Sequence, residues 1–201
     1  MNDIKKFNLI DMNVYVCRIQ NVDNEKITNE IKNNSTDISQ KYLDGYLQNH
    51  NHTYYEDKKY PNTEECNKLK SLISIKVNQV LKKPMKMESI WTLTLEQGQS
   101  VSYHSHKSNA HLHPIEYYSI AYYPTVPKGS AKLIFHTTAY GVIDANSSIE
   151  PEESMLLIFN SFIPHMTDRH LPQDPRIVVS ANFAPINRNT KIVPDWSAYD
   201  V

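Results

Sequence analysis

The 201-residue chain is poor in cysteine, carries almost no net charge and contains no long apolar run. Cys17 and Cys66 stand alone in unrelated contexts, so neither a CxxC site nor a disulfide framework is indicated, and both thiols are expected to be packing residues. Lys and Arg number 21 against 22 Asp and Glu, a formal charge of −1, which removes the electrostatic footprint of a general nucleic-acid binder. No stretch approaches the roughly 18 apolar residues of a membrane span. The opening Met1-Asn2-Asp3-Ile4-Lys5-Lys6 lacks the apolar stretch of a secretory signal, so the expectation is a cytoplasmic protein without a membrane partner. Repeats and low-complexity segments are missing too. What is present is histidine, nine in all, with His104, His106, His111 and His113 crowded together.

The chain divides by texture. Asn8 to Arg18 is rich in β-branched and apolar residues and predicts a strand that joins the main sheet. Asn24 to Gln48 spaces Ile27, Ile31, Ile38, Tyr42 and Leu43 at helical intervals, broken at Asn33-Asn34-Ser35, which predicts two short helices. His50 to Thr63 has no period and reads as a loop. Glu64 to Lys83 places Leu69, Leu72, Ile73, Val77, Val80 and Leu81 on one stripe and stops at Pro84, the clearest helix in the chain.

Beyond Pro84 the pattern becomes short β-like runs: Ser89 to Leu95, Gln99 to His106, Tyr117 to Tyr123, Ala131 to Phe135, Met155 to Phe159 and Arg176 to Phe183. Turn residues separate them at Gly98, Pro127-Lys128-Gly129 and Asp144-Ala145-Asn146, the spacing of an antiparallel sandwich or jelly roll. One domain is expected, with residues 1–84 as an N-terminal strand and helical buttress, 85–188 as the β core and 189–201 as a tail.

In an extended chain alternate side chains share a face, so His104 and His106 can converge on one metal, and His111 with His113 offers the same geometry. His165 lies just past the apolar run Met155 to Phe159, with Pro164 fixing its approach. Alternation along the last run puts Arg176, Val178, Ser180 and Asn182 on one face and Ile177, Val179, Ala181 and Phe183 on the other. A guanidinium turned into a small barrel requires an anion, either a ligand's carboxylate or a neighbouring Asp or Glu. His136 reads as structural, His50, His52 and His170 as solvated, and Trp91 and Trp196 as packing residues.

The order strand, Gly98, His-x-His, tyrosine-rich strand, Leu157-Ile158-Phe159-x-Ser161-x-x-x-His165, loop and Arg176-x-x-x-Ser180-x-Asn182-Phe183 resembles the iron(II)/2-oxoglutarate-dependent oxygenases related to prolyl 4-hydroxylases, over roughly Ser89 to Pro185. The resemblance implies a mainly β protein, a double-stranded β-helix (jelly roll) core with N-terminal flanking helices. It implies iron(II), Fe(2+), held by a histidine motif on an early strand and by His165, with 2-oxoglutarate as cosubstrate. Arg176 would bind the distal carboxylate of 2-oxoglutarate, assisted by Ser180 or by Tyr118 or Tyr122. The substrate would be a small molecule or a peptide.

Two departures stand out. The superfamily's first motif is His-x-Asp or His-x-Glu, giving two histidines and a carboxylate, whereas both pairs here are His-x-His. The site is therefore three-histidine, or its carboxylate comes from elsewhere, with Glu116 nearest. His104 lies six residues after Gly98, the family's distance, which favours His104 and His106. His113-Pro114, counted back from Tyr122, favours His111 and His113. The alternatives to an oxygenase are a cupin-like three-histidine metalloenzyme without 2-oxoglutarate and a non-catalytic jelly-roll binding module.

Overall fold

The computed structural model describes residues 13–34, 51–52, 60–106, 117–139 and 143–186. Apolar alternation in the second half of the chain builds two antiparallel sheets. The larger takes β1 (Val14–Arg18), β2 (Asn51–His52), β3 (Met85–Leu95), β4 (Tyr118–Thr125), β7 (Met155–Asn160) and β9 (Arg176–Pro185), in the order β1-β7-β4-β9-β3-β2. The smaller is β6 (Ile143–Ile149), β5 (Leu133–Ala139) and β8 (His165–Thr167), in that order. Two helices, α1 (Asn24–Asn34) and α2 (Glu64–Leu81), lie on the larger sheet. Among the described residues no helix is long and apolar enough to cross a membrane.

Strand alternation sorts the core into two layers. Ile120, Leu156, Ile158, Ile177, Val179 and Phe183 meet the stripe Ile27, Ile31, Leu69, Ile73 and Val77 of the helices. The opposite faces carry Leu93, Ala121, Tyr123, Leu157, Phe159 and Val178 against Leu133 and Phe135 of the smaller sheet. All six residues of β7 are buried, because one face meets helix and the other meets sheet. Thr63 caps α2 by accepting from the Cys66 amide, and Lys82 leaves the helix in a left-handed turn just before Pro84.

Several expectations need correction. Gln99 to His106 is no regular strand: it runs extended beside β8, but only His104 forms a bridge, with His165. The Val101 amide is taken by the Thr167 hydroxyl rather than by a carbonyl, and this interrupts the ladder. Asp144-Ala145-Asn146 is no turn but lies within β6, opposite Thr138, Thr137 and His136; cross-strand pairing overrides the local preference of these residues. Asn51 and His52 pair with Thr94 and Leu93 inside the expected loop. β3 starts at Met85, ahead of Ser89, and takes a register shift between Met87 and Ser89. β1 joins the sheet through β7 as expected, and α1 ends at Asn34; the second expected helix and the segment from Asn8 to Met12 lie outside the described residues.

His170 is the largest surprise, fully buried rather than solvated. Its main chain accepts from the Gly98 amide at 2.7 Å and donates to Gln99 O at 2.8 Å, clamping the turn where Gly98 takes φ +86°, a region that favours glycine. Its ring Nε2 donates to Asp174 O, and Nδ1 accepts from the Ala131 amide. His170→Ala strands the buried Ala131 amide and should destabilise the protein by about 1–3 kcal/mol. The check is a lower urea midpoint at unchanged slope, with Leu171→Ala, 66% exposed, within about 0.5 kcal/mol of wild type.

Candidate metal centre

His104 and His165 come together because their main chains pair: His104 N donates to His165 O at 3.0 Å, and His165 N donates back to His104 O at 2.8 Å. His106, two residues on, returns to the same face. The ring of His104 sits 4.2 Å from that of His165 and 5.2 Å from that of His106, and the rings of His106 and His165 are 5.1 Å apart. One nitrogen from each of the three lies within 4.8 Å of the others. Among the described residues no Asp, Glu or Cys joins this group.

The hydrogen-bond partners decide which nitrogens converge. Nδ1 of His104 faces Ser102 O at 2.8 Å, and Nδ1 of His165 faces Ile163 O at 2.9 Å. A carbonyl can only accept, so in both rings Nδ1 carries the proton and Nε2 keeps its lone pair, the arrangement of a metal-ready imidazole. Nδ1 of His106 faces Asn182 Oδ1 at 2.9 Å. Burial pushes all three imidazoles below their ordinary range, His106 to about 4 and His165 well down, with the neighbouring histidines adding to the shift in His106 and His165. All three are neutral at pH 7, as ligation requires.

Arg176 opens β9 in the same pocket, only 2% exposed. Its Nη1 donates to Ala131 O at 2.5 Å, its guanidinium lies 5.6 Å from the Tyr123 ring centre, and its Nε is buried without a partner. No ion pair to it forms among the described residues; Asp168, whose charge acts on it from a distance, has Oδ1 on the Lys132 amide. Ser180 and Val178 line the pocket beside it as alternation predicts, and Trp91 packs its ring 5.4 Å from His106. The pocket is small, about 60 Å³, room for a handful of water molecules.

Tyr118 and Tyr122 do not reach this pocket. Tyr122 pairs with Val179 on the helix-facing side and donates its hydroxyl to Asn24, while Tyr118 packs in that same layer under Lys83. The tyrosine that faces Arg176 is Tyr123, two residues along β4 from Ala121, which pairs with Ser180; alternation places Tyr122 and Tyr123 on opposite faces without saying which face is the pocket's. Trp91 proves to be both packing residue and pocket wall. His136 meets Tyr103 edge to face, with ring centres 5.0 Å apart, and takes no part in the cluster. His111, His113, Glu116 and Trp196 lie outside the described residues.

No family model and no curated protein matches the chain. Solved structures are. HygX from Streptomyces hygroscopicus, with nickel and 2-oxoglutarate bound, is 10% identical with a TM-score of 0.61, over 87% of this chain and 84% of HygX. A prolyl hydroxylase from Trichoplax adhaerens, in complex with a hypoxia-inducible-factor peptide, is 12% identical with a TM-score of 0.58, over 85% and 83%. A Pseudomonas putida prolyl-4-hydroxylase is 11% identical with a TM-score of 0.56, over 87% and 93%. The chain spans only 59% and 61% of two others, a Burkholderia pseudomallei oxygenase-family oxidoreductase and the epimerase SnoN. The likenesses to HygX and the two prolyl hydroxylases show the fold alone: the chain is a jelly roll.

Burying neutral imidazoles links stability to pH. The unfolded chain takes up protons near 6.5 that folded His106 refuses until about 4, so stability is full above 6.5 and falls as pH drops through that window, by roughly 3 kcal/mol from His106. Between pH 7.5 and 5, urea unfolding of metal-free protein should show about 2 kcal/mol of this loss, and His106→Leu should make the fall shallower while His104 and His165 keep their share; an equally steep profile in the variant would refute the assignment.

Proposed function

We propose that this chain is a non-haem iron(II) oxygenase that uses 2-oxoglutarate to hydroxylate a small molecule or peptide. The observation that carries the reading is a buried Arg176 guanidinium, with Nε unpartnered, in one pocket with three neutral imidazoles. A divalent cation fits the donor set: three Nε2 lone pairs from His104, His106 and His165 occupy part of its coordination sphere and leave positions for other ligands. A carboxylate fits Arg176, because a cation desolvated to this degree is stabilised by a bidentate anion.

When bound, iron(II) and 2-oxoglutarate supply the activation of dioxygen that inserts one oxygen atom into a C–H bond, while 2-oxoglutarate becomes succinate and carbon dioxide. The protein's own groups bind, orient and exclude water. Arg176, braced by Ala131 O and the Tyr123 face, grips the far carboxylate, and Ser180 adds a hydroxyl on the same strand face. Leu93, Val101, Leu133, Phe159 and Val178 make the walls apolar, which strengthens each polar contact inside.

One feature favours a second reading. Without a carboxylate among the described ligand candidates, the site matches a cupin-like three-histidine metal centre, in which Arg176 would hold the substrate's own carboxylate.

Anaerobic addition of iron(II) and then 2-oxoglutarate to the metal-free protein should develop a visible charge-transfer band. Succinate should accumulate in air without added substrate. His165→Ala should abolish stoichiometric metal binding. Paired replacement of His104 and His106 by Ala should do the same, and the matching change at His111 and His113 should not. Arg176→Ala should keep the metal but weaken 2-oxoglutarate binding by about 2–5 kcal/mol, with Arg176→Lys in between. Metal binding with neither 2-oxoglutarate binding nor succinate release would sink the oxygenase reading in favour of the cupin-like one.

A further inference from the structure

His104 and His165 are each held by a carbonyl two residues back in their own chain, Ser102 O and Ile163 O. His106 is the exception, since its ring depends on a side chain from β9. Asn182 Oδ1 takes His106 Nδ1 at 2.9 Å and also accepts from Ser119 Oγ at 2.8 Å. Ser119 Oγ in turn lies 2.8 Å from Ser161 Oγ, and the Ser161 carbonyl accepts from the His106 amide at 2.9 Å. The four residues close a ring of hydrogen bonds that grips His106 by both main chain and imidazole. Ser119 and Ser161 are fully buried and Asn182 is 6% exposed, so each proton in the ring must be accounted for.

The directions follow from the donor count. A serine hydroxyl has one proton, and that of Ser119 is spent on Asn182 Oδ1. Ser161 must then be the donor to Ser119. The relay runs Ser161 to Ser119 to Asn182, and the amide oxygen at its end meets the His106 ring as an acceptor. A proton on His106 Nδ1 satisfies that oxygen, whereas a bare Nδ1 would set two lone pairs against each other in a dry site. We infer that Asn182, backed by Ser119 and Ser161, is a positioning residue that selects the Nδ1–H tautomer of His106 and so aims its Nε2 lone pair at the metal. The inference rests on the three-histidine metal reading above. It explains how an imidazole stands where the resemblance leads one to expect a carboxylate: a carboxylate presents lone pairs in any protonation state it has at pH 7, but an imidazole needs a partner to choose which nitrogen is free.

The test uses the full chain, first metal-free with 15N-labelled histidine and then titrated with cobalt(II), read by its ligand-field absorption. Wild type should show the Nδ1–H form at His104, His106 and His165. Asn182→Leu, close in volume but without an acceptor, should release the His106 tautomer alone, leaving His104 and His165 unchanged as an internal control of folding, and should weaken cobalt(II) binding about 10- to 100-fold. Asn182→Asp, which keeps the acceptor, should restore binding to within a few-fold of wild type. Ser119→Ala should fall between Asn182→Leu and wild type. If Asn182→Leu unfolds, the smaller Asn182→Ala serves in its place. An Nε2–H form of His106 in wild type, or wild-type tautomer and cobalt(II) affinity in Asn182→Leu, would overturn the assignment alone. No cobalt(II) binding by wild type would overturn the metal reading and this assignment with it.

Discussion

The two main-chain hydrogen bonds between His104 and His165 are what the rest of the site depends on. They set two distant segments at ladder spacing, so that side chains on one face approach whether or not a ligand draws them together. The same pairing continues through Val101 with Thr167 and through Gln99 and Gly98 with His170, so one seam carries the cluster, the glycine turn and the buried clamp. His170 then extends the seam to the Ala131 amide, whose residue offers its carbonyl to Arg176. His104, His165 and the guanidinium are thus linked by one run of main-chain and side-chain hydrogen bonds, which fixes their relative positions better than side-chain packing alone would.

Charge accounts for what this mounting is able to attract. The pocket holds neutral rings and one cation, in walls that are largely apolar. Adding a divalent metal to such a site makes it more positive, with nothing among the described ligand candidates to offset it. A dianion that reaches from metal to guanidinium would answer both charges at once. This pressure would be greater than in a site with its own carboxylate ligand, and it would make anion binding and metal binding mutually reinforcing.

Much of this is legible in the sequence, for identifiable reasons. β9 has a strict period of two with the helix layer on one side, so the inward set Arg176, Val178 and Ser180 can be read directly. His165 is marked by the apolar run before it and by Pro164. The tyrosines of β4 are not so marked: apolar and aromatic residues occupy both of its faces, and alternation alone does not say which face is inside, hence Tyr122 where the pocket has Tyr123. β6 is hidden because Asp144-Ala145-Asn146 has turn chemistry, and only pairing to β5 makes it a strand. His170 has polar neighbours, and the partners that hold it, Gly98, Gln99 and Ala131, lie far from it in the sequence. Asn182 appears in the sequence as one more inward residue; its value lies in a serine on a neighbouring strand that no local pattern discloses.

The placement of β1 also bears on the order in which the molecule assembles. Val14–Arg18 precedes almost everything described, yet its one sheet neighbour among the described residues is β7, near the far end. A nascent chain therefore holds this strand unpaired until most of its length has been made. Sheets closed by such distant partners incur their loop entropy before any contact repays it and form slowly. Since β7 also leads directly into Ser161 and His165, the event that shelters the first strand and the one that delivers the last imidazole are close to being the same step. A metal ion would then meet a finished receptacle and act as a latch on the folded state, rather than as a template around which the chain condenses.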